Sequence, residues 1–242
     1  MAQLWRVQFR YYWQLVKFRF LLISIGLGIV SWLVGWQLTG SIYPNVVARF
    51  FSGPTALDIR SKEIIFPSLW LGYFIFPLIM VGDSFKLLWQ RHAVQLFGYR
   101  FSKANFAQIN LLLVSLIAGV YTLVEIATMA LVTLLNGTTQ LRISSFNGGS
   151  AWLLWGALVY GQVLMLLLIQ MLGSLASSVL GLIAPTVLLV LTIYWPNQYN
   201  PLNQSIFQRV TVLNMTTILI TIGLILGLMV SYFYIYRSFD SY

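Results

Sequence analysis

The sequence predicts an all-α integral membrane protein with six transmembrane helices, an N-terminal interfacial helix and a short amphipathic helix in one cytoplasmic loop. Three observations predict it. Of the 242 residues, 59% are hydrophobic and only 8% charged, whereas soluble domains carry about 25% charged residues. The apolar residues gather into six runs, each near the roughly 20 residues that cross a bilayer. The basic residues between those runs alternate between rich and poor loops, the pattern that orients spans in a membrane. The whole chain, 1–242, reads as a single transmembrane domain.

The chain opens on "QLWRVQFRYYWQLVKFRF", Gln3 to Phe20. At about 100° per residue, Gln3, Arg6, Arg10, Gln14 and Lys17 fall in one narrow stripe. Leu4, Trp5, Phe9, Tyr11, Tyr12, Leu15 and Val16 cover most of the rest. A narrow cationic stripe on a broad aromatic body predicts an interfacial helix over 1–17, with Arg6, Arg10 and Lys17 facing water and anionic lipid. Trp5, Tyr12 and Val16 are expected to face the apolar layer. The alternative is a cytoplasmic extension of the first span. A secretory signal is disfavoured by the long basic region and by the lack of a clear small-residue cleavage site.

The first span is read as about 18–38. The second covers about 64–88 and is interrupted by Pro67, Pro77 and Gly82-Asp83. The third covers about 106–135 and the fourth about 151–172. The fifth covers about 179–195 and contains Pro185, and the sixth covers about 210–236. "GSLASSVLG" (Gly173 to Gly181) reads as a tight turn between the fourth and fifth, because it is small and uncharged. The apolar run from Ala151 to Trp195 is about twice a spanning length, which favours two spans over one bent helix. Lipid forbids open backbone, so helices are the default.

Nine of the fourteen basic residues fall on one side: Arg6, Arg10, Lys17, Arg19, Lys86, Arg91, Arg100, Lys103 and Arg237. Arg49, Arg60, Lys62, Arg142 and Arg209 fall on the other. The positive-inside rule therefore places both termini and the 86–103 segment in the cytoplasm. The expected location is the plasma membrane, with several passes. The net charge of +9 then reports basic cytoplasmic loops and anionic lipid rather than nucleic acid. The two long outer loops, Thr39 to Glu63 and Pro196 to Arg209, lack the apolar content of a separate domain.

The residue inventory narrows the chemistry. There is no Cys, which excludes disulfides and thiolate metal sites. One His and five acids leave little for any metal site, and no metal or catalytic residue is assigned. No phosphate-binding loop, no nucleophile elbow and no H-E-x-x-H pair occurs. Glu125 is the one acid inside a spanning segment. An ionised carboxylate in hydrocarbon is costly, so it must be paired, protonated or beside a wet cavity. It is the candidate for a pathway-lining or gating group. A structural ion pair with Arg142, Arg209 or Lys62 is the alternative. Asp83 is expected to pair with Lys86 at the inner boundary.

"KLLWQRHAVQLFGYRFSKANF" (Lys86 to Phe106) is short, basic and aromatic. Trp89, Val94, Leu96, Phe97, Tyr99 and Phe101 are costly to leave in water, which predicts a helix that docks on lipid or on a cytoplasmic protein.

A basic amphipathic helix leading into span one, six spans, and a basic-aromatic loop between spans two and three together resemble the permease subunits of ABC type 2 transporters. Gln95 to Asn110 is similar to the family region in which a short helix ends before span three. Asp83 is the one acid ahead of that helix, and no Pro precedes Arg100, unlike the family pattern. The resemblance implies a coupling helix over 89–101 with Trp89, Arg91, Leu96, Phe97, Tyr99 and Arg100 against a separate ATP-binding subunit. It implies a second permease chain, identical or related. ATP and Mg would be bound by the partner, with no cofactor on this chain. Small Gram-positive systems of this kind export peptides, bacteriocins or drugs, or confer immunity. The competing readings are a membrane-embedded enzyme and an ATP-independent secondary transporter.

Overall fold

The computed structural model describes residues 2–38, 45–88, 102–136, 149–197, 199–209 and 215–238. Nine α-helices cover most of them, and no strand occurs among the described residues. Five helices are long and apolar enough to cross a membrane, and a sixth apolar helix has 17 residues. The all-helical membrane class predicted from composition is thus observed.

The first helix corrects one expectation. α1 runs from Ala2 to Gln37 without a break, roughly 54 Å at 1.5 Å per residue. No Gly or Pro lies before Gly26, so nothing in the sequence interrupts the backbone ladder between the cationic stretch and the apolar one. The 1–17 segment is therefore an extension of the same helix and not a separate one. Arg6, Arg10 and Lys17 are exposed, as their stripe implies. Tyr12 and Val16 are buried inside the protein, together with Gln8 and Leu4 one and two turns before Tyr12. Tyr12 packs on Phe85, with ring centroids 5.2 Å apart.

The second run divides as its Pro and Gly residues dictate. Pro67 precedes α4 (Ser68–Val81), Pro77 sits inside it, and Gly82 ends it at φ 44°. That left-handed value suits glycine, which has no Cβ to clash. The short α5 (Ser84–Leu87) follows. Ahead of α4 lie two short helices, α2 (Val46–Phe50) and α3 (Ala56–Ser61). Asn45 caps α2 by accepting from Ala48 N at 2.7 Å, and Thr55 with Asp58 forms a capping box on α3.

α6 (Lys103–Leu135), α7 (Gly149–Ala176), α8 (Ser178–Tyr194) and α9 (Met215–Ser238) complete the bundle. Ser177 alone separates α7 from α8, and its side chain caps α8 through Leu180 N at 3.1 Å. The tight turn predicted from small residues is present. It depends on Gly173 and Gly181, where a Cβ on Gly173 would sit 2.8 Å from the Gly181 Cα. Only glycine lets two backbones approach that closely.

The contacts fix helix direction. Ser24 meets Glu125 and Gly28 faces Thr128, so α1 and α6 run parallel. Asn110 meets Tyr232 and Phe106 stacks on Tyr236, so α6 and α9 run antiparallel. The start of α1 and the end of α9 therefore lie at the same end of the bundle. α7 is the most buried of the long helices, and α1 and α9 bury the fewest of their residues.

Candidate functional site

The described residues of two connecting segments, 45–63 and 199–209, fold into one cap at the opposite end of the bundle. Phe51 is its centre. Its ring lies 4.9 Å from Tyr73 and 4.8 Å from Trp155, both nearly edge-on, and 6.1 Å from Phe207. Its carbonyl accepts from Phe207 N at 3.0 Å. Trp70 Nε1 donates to Ser205 Oγ at 2.9 Å, joining α4 to the 3-10 helix Pro201–Ser205. Val46, Val47, Phe50, Leu202 and Ile206 are buried within the cap. The apolar content judged too small for a separate domain is enough to seal these loops onto the bundle.

Arg209 ties the cap together. It donates through Nε to Pro54 O at 2.8 Å, through Nη1 to Thr192 O at 2.7 Å and to Asn203 Oδ1, and through Nη2 to Ile193 O at 2.6 Å. Thr192 and Ile193 carry carbonyls of the last turn of α8, which have no partner within their own helix. A cation there also suits the helix dipole. Burial lowers the Arg209 guanidinium to about 10, so it remains charged near neutral pH. The sequence marks Arg209 as a loop charge and as an alternative ion-pair partner of Glu125, and carries no signal for these carbonyl partners.

Glu125 is buried, with 1% of its surface exposed. Its Oε1 accepts from Ser24 Oγ at 2.7 Å. The outer cations expected as its partners are placed otherwise. Arg209 is spent on the cap, Lys62 is exposed at the end of α3, and Arg142 lies outside the described residues. Glu125 thus ties α1 to α6. One turn before it, Tyr121 donates to Tyr73 O at 2.6 Å, tying α6 to α4.

Asp83 is exposed just before α5, and no hydrogen bond or ion pair joins it to Lys86. Trp89, Arg91, Leu96, Phe97, Tyr99 and Arg100 lie outside the described residues. Of the helices that flank them, α5 ends and α6 begins at the end of the bundle where α1 begins. Gln170 is a further buried polar residue there. Its Nε2 donates to Leu78 O at 2.8 Å, where Pro77 and Gly82 interrupt α4. Among the described residues no group of three or more His, Cys, Asp or Glu side chains is placed to hold a metal ion.

No protein-family model matches the chain, and no curated protein or solved structure does so either.

Proposed function

We propose that the chain is the transmembrane permease subunit of an ATP-driven ABC type 2 exporter in the plasma membrane. It forms half of the translocation pathway for a peptide, lipid-like or drug-like cargo. A second permease chain supplies the other half, and separate subunits bind ATP and Mg. The observation that carries this reading is the helix order. The start of α1, the end of α5, the start of α6 and the end of α9 share one end of the bundle, which fits six crossings with both termini cytoplasmic. The 17 residues of α8 span roughly 26 Å at 1.5 Å per residue, close to the hydrocarbon thickness of about 30 Å.

In this reading ATP binding closes the ATPase dimer, and the 89–101 segment carries the motion to α5 and α6. Leu96 and Phe97 are the apolar anchors. Trp89 and Tyr99 flank them, and Arg91 and Arg100 meet acidic groups at the groove rim. Glu125 acts as the gate candidate because its bond to Ser24 must follow or resist any separation of α1 from α6. Arg6, Arg10 and Lys17 hold the exposed face of α1 against anionic lipid headgroups, each contributing about 1 kcal/mol near such a surface.

Affinity purification of the full chain from its native membrane tests the reading. A co-purifying subunit with a phosphate-binding loop is the expected result. A chain that purifies alone as a stable monomer contradicts it.

A further inference from the structure

The bond between Ser24 and Glu125 lies at hydrocarbon depth. On α1, Leu21, Leu22 and Ile25 flank Ser24 in sequence, and Leu123 lies two residues before Glu125 on α6. All four are exposed on the bundle surface, where a spanning helix meets lipid tails. A carboxylate that is ionised at such a depth needs a cation or water. Glu125 is only 1% exposed, which closes it to bulk water and to a wet cavity alike.

No cation pairs with it among the described residues, and Ser24 Oγ is its hydrogen-bond partner. The titratable groups of the packed helices are placed as follows. On α1, Arg19 is turned toward α4, with its Nη1 2.7 Å from the position that a Cβ on Gly82 would take. On α2, Arg49 is exposed. On α4 and α6, Tyr73 and Tyr121 lie within electrostatic reach, and the Tyr121 hydroxyl is spent on Tyr73 O. On α7, Tyr160 meets α6 at Gly119, and on α9, Tyr232 meets it at Asn110, roughly two and four turns before Glu125. A phenol is neutral near pH 7, so none of these tyrosines supplies a counter-charge.

We infer that Glu125 is a proton-binding site. Its carboxyl is held as the neutral acid, with Ser24 donating to the carbonyl oxygen Oε1 and the bound proton on Oε2. With pairing and hydration both closed, a proton is what neutralises the group. Separation of α1 from α6 opens the carboxyl to water, so a bound proton favours the closed helix pair and opening favours its release. That gating role rests on the exporter reading; the bound proton does not.

The test exploits the small number of acids. The chain has two glutamates, Glu63 and Glu125, so the full chain is labelled with glutamate carrying carbon-13 at the side-chain carboxyl. It is then followed by solid-state magnetic resonance in lipid bilayers near pH 7. The carbon of a carboxylic acid resonates apart from that of a carboxylate. An acid-type signal is expected in the unaltered chain and should vanish in Glu125→Gln. Glu63 is exposed just beyond α3, so Glu63→Gln leaves the core untouched and Glu125 as the sole labelled residue. The acid-type signal should persist there, which assigns it even if Glu125→Gln does not fold. Ser24→Ala should shift it, because the carbonyl oxygen loses its donor. Carboxylate-type signals alone in the unaltered chain, an acid-type signal that survives Glu125→Gln, or one unmoved by Ser24→Ala each overturns the inference. If the acid-type signal is found but no ATP-binding subunit co-purifies, the site stands and its gating role falls. If the subunit co-purifies and Glu125 gives a carboxylate signal, this inference falls alone.

Discussion

The Ser24 hydroxyl donates to Glu125 Oε1 at 2.7 Å across 101 residues of sequence, and the carboxylate side chain is buried between α1 and α6. Removing only the donor strands a buried acceptor, which costs about 1–3 kcal/mol. Ser24→Ala is therefore expected to lower the melting midpoint in detergent. The double change Ser24→Ala with Glu125→Leu replaces both polar groups by apolar ones and should recover most of that loss. A double variant less stable than Ser24→Ala alone would show that Glu125 has a further stabilising partner.

Arg209 holds Pro54, Thr192 and Ile193 through a planar fork that lysine cannot reproduce. Both Arg209→Lys and Arg209→Ala should loosen the cap. The measurement is proteolysis of the full chain in nanodiscs, with cleavage mapped to 54–65 and 196–208. Faster cleavage at both segments is expected in both variants. Protection equal to the unaltered chain in Arg209→Lys would mean that charge alone suffices.

Gly181 faces backbone, not a yielding side chain. A Cβ there would lie 2.9 Å from Gln170 O and 3.0 Å from Ser174 N. Gly181→Val should force α7 and α8 apart and lower stability by roughly 1–3 kcal/mol, as overpacking does. Gly223, whose Cβ position is open, is the control: Gly223→Ala should be neutral or slightly stabilising. An unchanged midpoint in Gly181→Val would refute the close approach.

The chain has no Cys, so single introduced thiols report topology without background. Lys62→Cys is expected to react with a membrane-impermeant maleimide in intact cells. Ser241→Cys should react only after lysis. Labelling of Ser241→Cys in intact cells would leave α8 as something other than a crossing.

Much of the fold was legible because local chemistry decides it. Pro67 and Gly82 bound α4, as Pro and Gly do wherever the backbone must start or turn. The small residues from Gly173 to Gly181 marked the hairpin, since no larger side chain admits the approach. The continuity of α1 was less legible. A cationic stripe at Arg6, Arg10 and Lys17 has the same spacing whether the helix lies in the interface or extends from the span. Burial of Gln8 and Tyr12 in the protein separates the two.

The cap was the least legible part. Arg209 reaches Pro54 O across 155 residues, and backbone carbonyls carry no sequence signature as partners. Ser24 was equally silent, because a lone serine in an apolar run has no periodicity of its own. Glu125 was recognised as unusual from its type and position, but its partner was sought among the charges and proved to be a hydroxyl.

In the proposed function this chain couples its spans to a separate ATPase through the 89–101 segment, with Phe97 as an anchor. Aromatic anchors of an interface often contribute about 2 kcal/mol or more each. The most direct measurement is the ATPase rate of the co-purified complex in nanodiscs, compared between the unaltered chain and Phe97→Ala, with the melting midpoint of the isolated permease followed in parallel. The expected result is loss of cargo-stimulated ATPase and weaker retention of the ATP-binding subunit in Phe97→Ala, at an unchanged midpoint. An unaltered chain that retains no ATP-binding subunit, or a Phe97→Ala complex with full stimulation and retention, would contradict the account.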